Sequence, residues 1–407
     1  MHVIFVEPRF PANQAQFVRA LKEAGAYVSG IGETPWEYLG DRLRGWLDAY
    51  ERIPSVVDQG RLYDAVRKIQ KQGPWVDRLE ATVEAHILPA AKVREACKIP
   101  GTSVRTAFLC RDKPAMKEAL REAGVPTAGS TGTDDVQEAL AFAERIGYPV
   151  IVKPRSAAGA AGTYRADGPD ELRAVLAETG VGRGASVAVE EFVEGHEGFL
   201  DTLSLGGEIA HHFISHYYPN VLEAMRTRWV SPQVVTTNRV AAEGYDEVRS
   251  LAERVIGALG IGTSATHMEW FFGPKGLKFS EIGCRPPGVS VWDLYSAANE
   301  MDVYREWAEL IVQGEPKQRP SRRYAAGMVA LRPDRDGQVA GYEGIERVHD
   351  AIGEWILDAH FPPPGTPTQP VEGGYMANAW VRVRHPDYDR VRELLAFVGE
   401  NIRMRAR

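Results

Sequence analysis

Cysteine is scarce in this chain, and positive charge does not predominate. The 407 residues include three cysteines, Cys97, Cys110 and Cys284, and the formal net charge is -7. An odd number of cysteines without Cys-x-x-Cys spacing indicates neither a disulfide framework nor a structural zinc site, so a reduced, cytoplasmic protein is expected. General nucleic-acid binders and proteins of anionic membranes need a basic surface, and the net charge argues against both classes.

Long apolar segments are also lacking. The N-terminus has no positively charged leader before a long apolar stretch, and no later segment is long enough to span a bilayer. The glycine-rich pyrophosphate loop of dinucleotide folds is missing as well, because the first apolar run is followed by Glu7-Pro8-Arg9-Phe10-Pro11. We therefore expect no membrane partner, and no nicotinamide or flavin role for the first domain.

Short apolar runs and amphipathic segments alternate in the first hundred residues. Residues 3–6 predict a buried strand, residues 14–24 have helical periodicity, and residues 27–31 begin a second strand. This order is the βαβ start of a parallel sheet. Helical periodicity returns at 59–72 and 83–97.

Two carboxylates are predicted to close adjacent strands later in the chain. Glu269 ends one apolar run, Glu281 ends the next, and Arg285 follows four residues after Glu281. Carboxylate oxygens are the ligands that Mg²⁺ prefers, and a neighbouring cation completes the equipment for phosphoryl chemistry on ATP. The spacing therefore predicts a magnesium site beside a nucleotide.

A lysine and a run of small residues suggest where the phosphates bind. Lys153 ends the apolar run 148–154, and Ser156–Thr163 consists of small side chains. Backbone N–H groups in such a loop can approach phosphate oxygens, and the loop could close over a nucleotide. A hairpin connection of small residues is the competing explanation for the loop alone, whereas Lys153 beside it favours phosphate binding.

The segment 187–197 offers a contact surface for a nucleoside. A strand leading into consecutive polar and apolar positions can present main-chain groups to an adenine edge, while nearby carboxylates reach the ribose hydroxyls. A solvated acidic strand end is the alternative interpretation.

The order of these motifs resembles the ATP-grasp superfamily, particularly its carboxylate–amine (L-amino acid) ligases. The resemblance implies an α/β protein whose ATP-grasp module is itself α+β. Its expected parts are an N-terminal parallel-sheet domain (1–105), a central two-lobed ATP-grasp module (106–320) and a small C-terminal α+β domain (321–407).

The resemblance also implies roles for individual residues. The expected nucleotide ligands are Lys113, Lys153, Ser156, Gly159, Gly162, Thr163, Glu190, Glu191, Val193 and Glu197. Glu269 and Glu281 correspond to the metal carboxylates. Arg285 and Lys153 correspond to the catalytic cations that offset charge on the transferring phosphoryl group.

One position departs from the family pattern. Many members carry Glu-x-Asn, whose asparagine completes the second magnesium site, whereas this chain has Gly283 there. Glycine has no side-chain oxygen, so water, substrate or a bidentate Glu281 would have to supply the ligand. Either the second metal is bound more loosely or catalysis has been lost, and the intact remainder of the pattern favours the first.

Several further residues are candidates for substrate contact. Arg226 and Arg228 suit a carboxylate, since guanidinium binds it in a bidentate way, although a solvent-facing basic loop explains them equally well. Arg285 could contact the same substrate. His267 points to the same side of its strand as Glu269, and a histidine packed within the sheet is the alternative. Trp292 is expected either to line this pocket or to belong to the core.

The expected function is ATP-dependent activation of a small carboxylate, such as an amino acid, as an acyl-phosphate that an amine then attacks. The expected cofactors are ATP and Mg²⁺, with Mn²⁺ as an alternative ion, and a homodimer is the expected assembly. Two alternatives stay open: a carboxylase that uses carboxyphosphate, as biotin carboxylases do, and a regulatory protein that binds ATP without turnover. Three histidines, His211, His212 and His216, share one predicted strand but do not share one face, so no metal site is expected there.

Overall fold

The structure, a computed structural model, describes residues 1–155, 162–371 and 378–407. These residues form 18 strands: β1 (His2–Val6), β2 (Tyr27–Gly32), β3 (Ala49–Arg52), β4 (Arg78–Glu80), β5 (Ser130–Thr133), β6 (Val150–Pro154), β7 (Tyr164–Ala166), β8 (Val187–Glu191), β9 (His196–Leu205), β10 (Glu208–Tyr218), β11 (Gln233–Thr236), β12 (Ser264–Gly273), β13 (Gly276–Gly283), β14 (Ala325–Leu331), β15 (Val339–Glu343), β16 (Ile356–His360), β17 (Ala379–His385) and β18 (Arg403–Ala406).

The same described residues form 14 α-helices: α1 (Gln14–Glu23), α2 (Asp41–Trp46), α3 (Gln59–Gln72), α4 (Glu84–Cys97), α5 (Val104–Leu109), α6 (Lys113–Glu122), α7 (Val136–Ile146), α8 (Pro169–Thr179), α9 (Val221–Ala224), α10 (Asp246–Leu259), α11 (Val291–Asn299), α12 (Val303–Val312), α13 (Ile345–Ile352) and α14 (Tyr388–Asn401). Within these ranges, no helix is long and apolar enough to cross a bilayer.

The N-terminal region is a parallel sheet, as its βαβ pattern predicts. Four strands lie in the order β3-β2-β1-β4, and each neighbouring pair is parallel. All five residues of β1 are buried, and α1 covers one face of the sheet through Phe17, Val18 and Leu21. The sheet follows from an apolar run that needs cover on both faces.

A second four-stranded sheet forms a small lobe. Its order is β5-β8-β6-β7, and its pairs are antiparallel. Helices α7 and α8 pack their apolar sides against it around Leu140, Leu176 and Val189. This lobe carries Lys153 at the end of β6 and Glu190 in β8.

The largest sheet joins the centre of the chain to its C-terminal part. Eight antiparallel strands lie in the order β13-β12-β9-β10-β11-β14-β17-β16. Strand β11 pairs with β14, so the sheet continues across the predicted boundary at 320. The three predicted domain ranges stay predictions, because hydrogen bonding does not separate the last two.

One aromatic cluster connects the N-terminal domain to helices α11 and α12, which lie between β13 and β14 in the chain. The ring of Phe17 lies 5.1 Å from that of Trp292, 4.9 Å from Tyr304 and 5.2 Å from Trp307, measured between centroids. Trp292 is buried in this core and does not line the main cavity, so the core interpretation of this residue is correct. The N-terminal sheet is thereby held against the rest of the protein.

Removal of the Phe17 ring should weaken this connection. We expect Phe17→Ala to lower the free energy of unfolding by about 3–5 kcal/mol, because it leaves a cavity among three aromatic rings. Urea denaturation followed by tryptophan fluorescence would measure the change. Tyr38→Ala is the matched control, since Tyr38 is 70% exposed, and we expect it to change stability by less than about 0.5 kcal/mol. Equal stability of the two variants would contradict the proposed connection.

Candidate active site

A cavity of about 1250 Å³ lies where the N-terminal domain, the small lobe and the large sheet meet. Most of the sequence-predicted site residues line it: Lys113, Lys153, Thr163, Glu190, Glu191, Val193, Glu197, Arg226, His267, Glu269, Glu281 and Arg285. Gly162 and Arg228 do not line it. Ser156 and Gly159 lie outside the described residues. The volume exceeds that of a typical small-molecule site, so more than one substrate fits.

The two predicted metal carboxylates face each other across neighbouring strands. Glu269 of β12 is the register partner of Glu281 of β13, so both side chains leave the same face of the sheet. Lys113 Nζ lies 3.2 Å from Glu281 Oε2, and Tyr217 donates to Glu269 Oε1 over 3.5 Å. The pair is therefore held in one place by surrounding donors.

This donor set fits a magnesium ion that is shared with phosphate. Across ranges 1–155, 162–371 and 378–407, no three or more His, Cys, Asp or Glu side chains are grouped to hold a metal on their own. Mg²⁺ in nucleotide sites is usually held by one or two carboxylates, with waters and phosphate oxygens supplying the rest. Glu269 and Glu281 together meet that requirement.

Glu190 lies between two lysines at the floor of the cavity. Lys117 Nζ is 2.7 Å from Glu190 Oε1, and Lys153 Nζ is 3.1 Å from Glu190 Oε2. Burial alone would raise the pKa of Glu190, but the two ammonium charges lower it to about 2. Burial would likewise lower the pKa of Lys153, but Glu190 and Glu281 raise it above its usual range. Lys153 therefore enters the cavity as a cation.

Lys117 is a site residue that the sequence analysis missed. Its side chain is 1% exposed, it lines the cavity, and burial lowers its pKa despite the partner Glu190. Lys113 and Lys117 are four residues apart in α6, so they share one helix face. That spacing is the feature of the sequence from which Lys117 could have been predicted as a second lysine at the site.

Glu197 is a buried carboxyl group near the metal carboxylates. Its Oε2 accepts the Val221 N–H over 2.6 Å, and its own N–H donates to Asn220 Oδ1 over 3.0 Å. Burial, and then the charge of Glu269, raise the pKa of Glu197 to about 8. At neutral pH this group can therefore carry a proton while Glu269 remains charged.

His267 links the cavity to a buried aspartate. Its Nδ1 lies 2.7 Å from Asp201 Oδ1, and its Nε2 lies 3.5 Å from Glu269 Oε1. Burial would lower the pKa of His267, but Asp201 and Glu269 raise it to about 9. Tyr295 donates its hydroxyl to the other oxygen of Asp201. Both interpretations of His267 therefore hold together: it is packed within the sheet and it borders the cavity.

Known proteins are similar to this chain in sequence. A family model described as "Carbamoyl-phosphate synthase L chain, ATP binding domain" matches residues 112–198. The L-arginine-specific L-amino acid ligase of Bacillus subtilis is 28% identical over 280 residues, which cover 64% of this chain and 66% of that ligase. The matched region is thus just under two thirds of the relative's length.

Solved structures match over nearly the whole chain. An L-amino acid ligase from Bacillus licheniformis has a TM-score of 0.77 at 17% identity, covering 100% of this chain and 98% of that one. The biotin carboxylase domain of Hydrogenobacter thermophilus 2-oxoglutarate carboxylase, in complex with MgADP, ADP and bicarbonate, has a TM-score of 0.69 at 19% identity, covering 99% and 90%.

The chain has the ATP-grasp fold. Its predicted resemblance to the carboxylate–amine ligases of that superfamily is confirmed. The mixed α/β class, with a parallel N-terminal sheet and a large antiparallel sheet, is confirmed as well.

Arg285 is held by a glutamate from outside the predicted ATP-grasp module. Its Nε donates to Glu84 Oε2 over 2.7 Å, and its Nη1 donates to Pro286 O over 2.8 Å. Glu84 is the first residue of α4 in the N-terminal domain, and Arg111 Nη1 donates to its carbonyl oxygen over 2.7 Å. Glu84 is a second residue that the sequence analysis missed, because 201 positions separate it from Arg285.

This ion pair gives a spatial reason for Gly283 in an ATP-grasp site. A Cβ atom at position 283 would lie 3.3 Å from Glu84 Oε2 and 3.3 Å from Arg285 Cγ. A larger side chain would meet the ion pair directly. Glycine therefore leaves room for Glu84 beside Arg285, close to where the family pattern has an asparagine.

The remaining candidate residues differ in whether they border the cavity. Arg226 borders the cavity and donates to Thr163 O over 3.2 Å. Arg228 instead donates to Pro333 O and Asp336, so its side chain is directed to the C-terminal region. His211 pairs with the buried Glu306 over 2.8 Å, and His216 pairs with His196 and Tyr245, which gives these histidines structural partners.

The buried lysine–glutamate–lysine cluster should depend on Glu190 for stability. We expect Glu190→Gln to lower the free energy of unfolding by about 3–5 kcal/mol near neutral pH, because it leaves Lys117 without its buried counter-ion. The folded pKa of about 2 lies below the ordinary 4.5, so the contribution is present above pH 4.5 and is lost as pH falls towards 2. The difference in the free energy of unfolding between wild type and Glu190→Gln should therefore become smaller as the pH falls.

Urea denaturation at several pH values would measure this gap. Glu118→Gln is the matched control, since the Glu118 side chain is 66% exposed and lies in α6, the helix that also carries Lys117. A Glu190→Gln protein as stable as this control at neutral pH would show that the cluster is not buried as described.

Proposed function

We propose that this protein is a magnesium- and ATP-dependent ligase that joins a small carboxylic acid, an amino acid in the simplest case, to an amine. The observation that carries the proposal is the convergence of Lys153, Glu269, Glu281 and Arg285 on one cavity. Two cations and two carboxylates in one enclosed space are what the transfer of a phosphoryl group from ATP requires. The relatives and structural neighbours, which include amino acid ligases, support the same reaction class.

The nucleotide is assigned to the cleft between the small lobe and the large sheet. The N–H of Glu191 already donates to Gly129 O over 2.8 Å, so an adenine contact at this residue would use its carbonyl oxygen. The N–H of Val193 is the expected donor to the ring, and Glu197 is the expected ribose contact. Lys113 and Lys153 would bind phosphate oxygens, with Lys117 as an additional cation beneath them.

The loop Ser156–Thr163 is the proposed lid over the phosphates. Its end at Thr163 borders the cavity and accepts a hydrogen bond from Arg226. Main-chain N–H groups of small residues suit this role, because no side chain keeps them from the phosphate oxygens.

Charge explains the proposed chemistry. A carboxylate is a poor electrophile, and its attack on the γ-phosphate converts one of its oxygens into part of a phosphate leaving group. Glu269 and Glu281 would hold Mg²⁺, with Mn²⁺ as an alternative ion, and the bound ion would supply positive charge that offsets the charge of the phosphates. Lys153 and Arg285 would stabilise the transferring group from the protein side. Enclosure of the cavity would keep water from the acyl-phosphate until an amine attacks it.

The acid and amine are assigned to the end of the cavity opposite the adenine. Arg226 and Arg285 offer guanidinium groups for a carboxylate, and His267 offers a third cation. Arg228 is left out of this assignment, because its side chain pairs with Asp336. A cytoplasmic location and a homodimer accompany the proposal as expectations.

One assay of ADP formation distinguishes the proposed ligase from two alternatives, a carboxylase and a regulatory protein. Purified protein would be incubated with ATP, Mg²⁺ and pairs of amino acids, with detection of ADP and mass spectrometry of active mixtures. The ligase should form ADP only when both an acid and an amine are present. ADP formation that requires bicarbonate would replace the ligase with a carboxylase, in line with the biotin carboxylase neighbour. ATP binding without turnover under every condition would indicate a regulatory protein.

Loss of either charge at the phosphates should stop this reaction. We expect Lys153→Ala and Glu281→Gln each to reduce ADP formation by about 10²–10³ or more, because each removes charge stabilisation from the transition state. Lys68→Ala and Glu343→Gln are the matched controls, since these residues form exposed ion pairs elsewhere. Unchanged turnover in the site variants would mean that the site is misplaced.

Introduction of the family's asparagine should disturb Arg285. We expect Gly283→Asn to lower kcat by about tenfold to a hundredfold, because its side chain would meet Glu84 and Arg285 at about 3.3 Å and displace the guanidinium. Gly257→Ala is the control, since a Cβ there meets nothing within 4 Å. An equal or higher kcat for Gly283→Asn would show instead that the asparagine completes a metal site that glycine leaves deficient.

A further inference from the structure

Two buried cysteines meet next to Arg285, a residue that lines the candidate active site. The Sγ atoms of Cys110 and Cys284 are 2.9 Å apart, although 174 positions separate the residues in the chain. Cys110 directly follows helix α5, and Cys284 directly follows strand β13. The third cysteine, Cys97, lies at the end of α4 and is not part of this contact.

The contact needs little movement to become covalent. A disulfide has an S–S length of about 2.05 Å, so the two sulfurs need to approach by only about 1 Å. Both residues are buried, at 4% and 5% exposure, which protects the pair from large reagents. A hydrogen bond with Cys284 and burial raise the pKa of Cys110 well above its usual range, so that thiol stays protonated.

We propose that Cys110 and Cys284 form a reversible disulfide that makes the candidate active site sensitive to oxidation. Disulfides in reducing compartments are usually transient and redox-sensing rather than structural, and a pair beside a reactive centre suits that class. The effect on turnover rests on the proposed function, whereas the disulfide itself does not.

The oxidant of the proposed step is hydrogen peroxide, a reagent small enough for a buried site. Cys284 loses its proton, and its thiolate sulfur attacks one oxygen of the peroxide. The O–O bond breaks, the departing hydroxide takes up the proton, and the products are a sulfenic acid and one water. The second thiol attacks the sulfenic sulfur, forming the S–S bond and releasing a second water. Two thiols and one peroxide thus give one disulfide and two waters, and a dithiol such as dithiothreitol restores both thiols.

The position of the pair connects it to Arg285. Cys284 directly precedes Arg285, and Cys110 directly precedes Arg111. Arg111 donates to the carbonyl of Glu84, whose side chain holds Arg285. A disulfide would add a covalent bond between Cys110 and Cys284, and it would thereby draw the neighbouring Arg111 and Arg285 towards each other. Because a shift of about 1 Å in a catalytic group can cost up to a hundredfold in rate, we expect oxidation to lower turnover about tenfold or more.

Thiol counting on the whole protein tests the disulfide independently of any activity. Protein treated with peroxide, denatured and alkylated should take up one label instead of three, and peptide mapping should find Cys110 linked to Cys284. Cys97→Ala is the matched control and should lose both remaining labels on oxidation. Labelling of all three cysteines after oxidation, or a bridge that includes Cys97, would overturn the proposal.

The turnover arm uses the same samples. ADP formation should fall about tenfold on oxidation and recover with dithiothreitol in wild type and Cys97→Ala, but should stay constant in Cys110→Ala. A linked peptide with unchanged turnover would overturn the regulatory part. Should the reduced wild type form no ADP with any substrate, the proposed function would fail, while the thiol count would still decide the disulfide.

Discussion

The register of β12 against β13 is the constraint on which the site depends. Because Glu269 lies directly opposite Glu281, two negative charges share one face of the sheet and would repel each other without nearby cations. Lys113 beside Glu281 and His267 beside Glu269 supply positive charge. A one-residue slip of either strand would send one carboxylate to the opposite face. The bulge after Glu269 leaves this pairing intact at the position that matters.

The same balance of charges extends through the cavity. Buried ions are costly to desolvate, so each one here has a partner of opposite sign at close range. Glu190 has two lysines, His267 has Asp201 as well as Glu269, and Arg285 has Glu84. Glu197 is the exception: it faces other carboxylates, and its raised pKa follows from that position. A triphosphate with its magnesium would enter a site whose charges are already fixed in place, which is how preorganised sites lower a barrier.

Local patterns were enough to predict the elements that carry the site. The apolar run before Lys153 forms β6 where its sequence indicates, and the runs that contain Glu269 and Glu281 form β12 and β13. These two strands continue to Gly273 and Gly283, so the carboxylates do not close their strands as predicted. Contacts between distant segments were not predictable in this way. Glu84 reaches Arg285 because the N-terminal domain packs against the end of β13. Cys110, which directly follows α5, reaches Cys284 across 174 positions of the chain. The side-chain direction of Arg228 likewise could not be predicted from local sequence, since its partner Asp336 comes from the C-terminal region.

Gly283 shows how a sequence departure changes meaning once its surroundings are known. As a missing asparagine it suggests a weaker metal site, because glycine offers no oxygen ligand. In the folded chain the same position is flanked by Glu84 and Arg285, both within contact distance of a modest side chain. A carboxylate from the N-terminal domain therefore lies next to the position of the lost amide. Glycine at position 283 therefore leaves room for the ion pair between Glu84 and Arg285, which a side chain at this position would crowd.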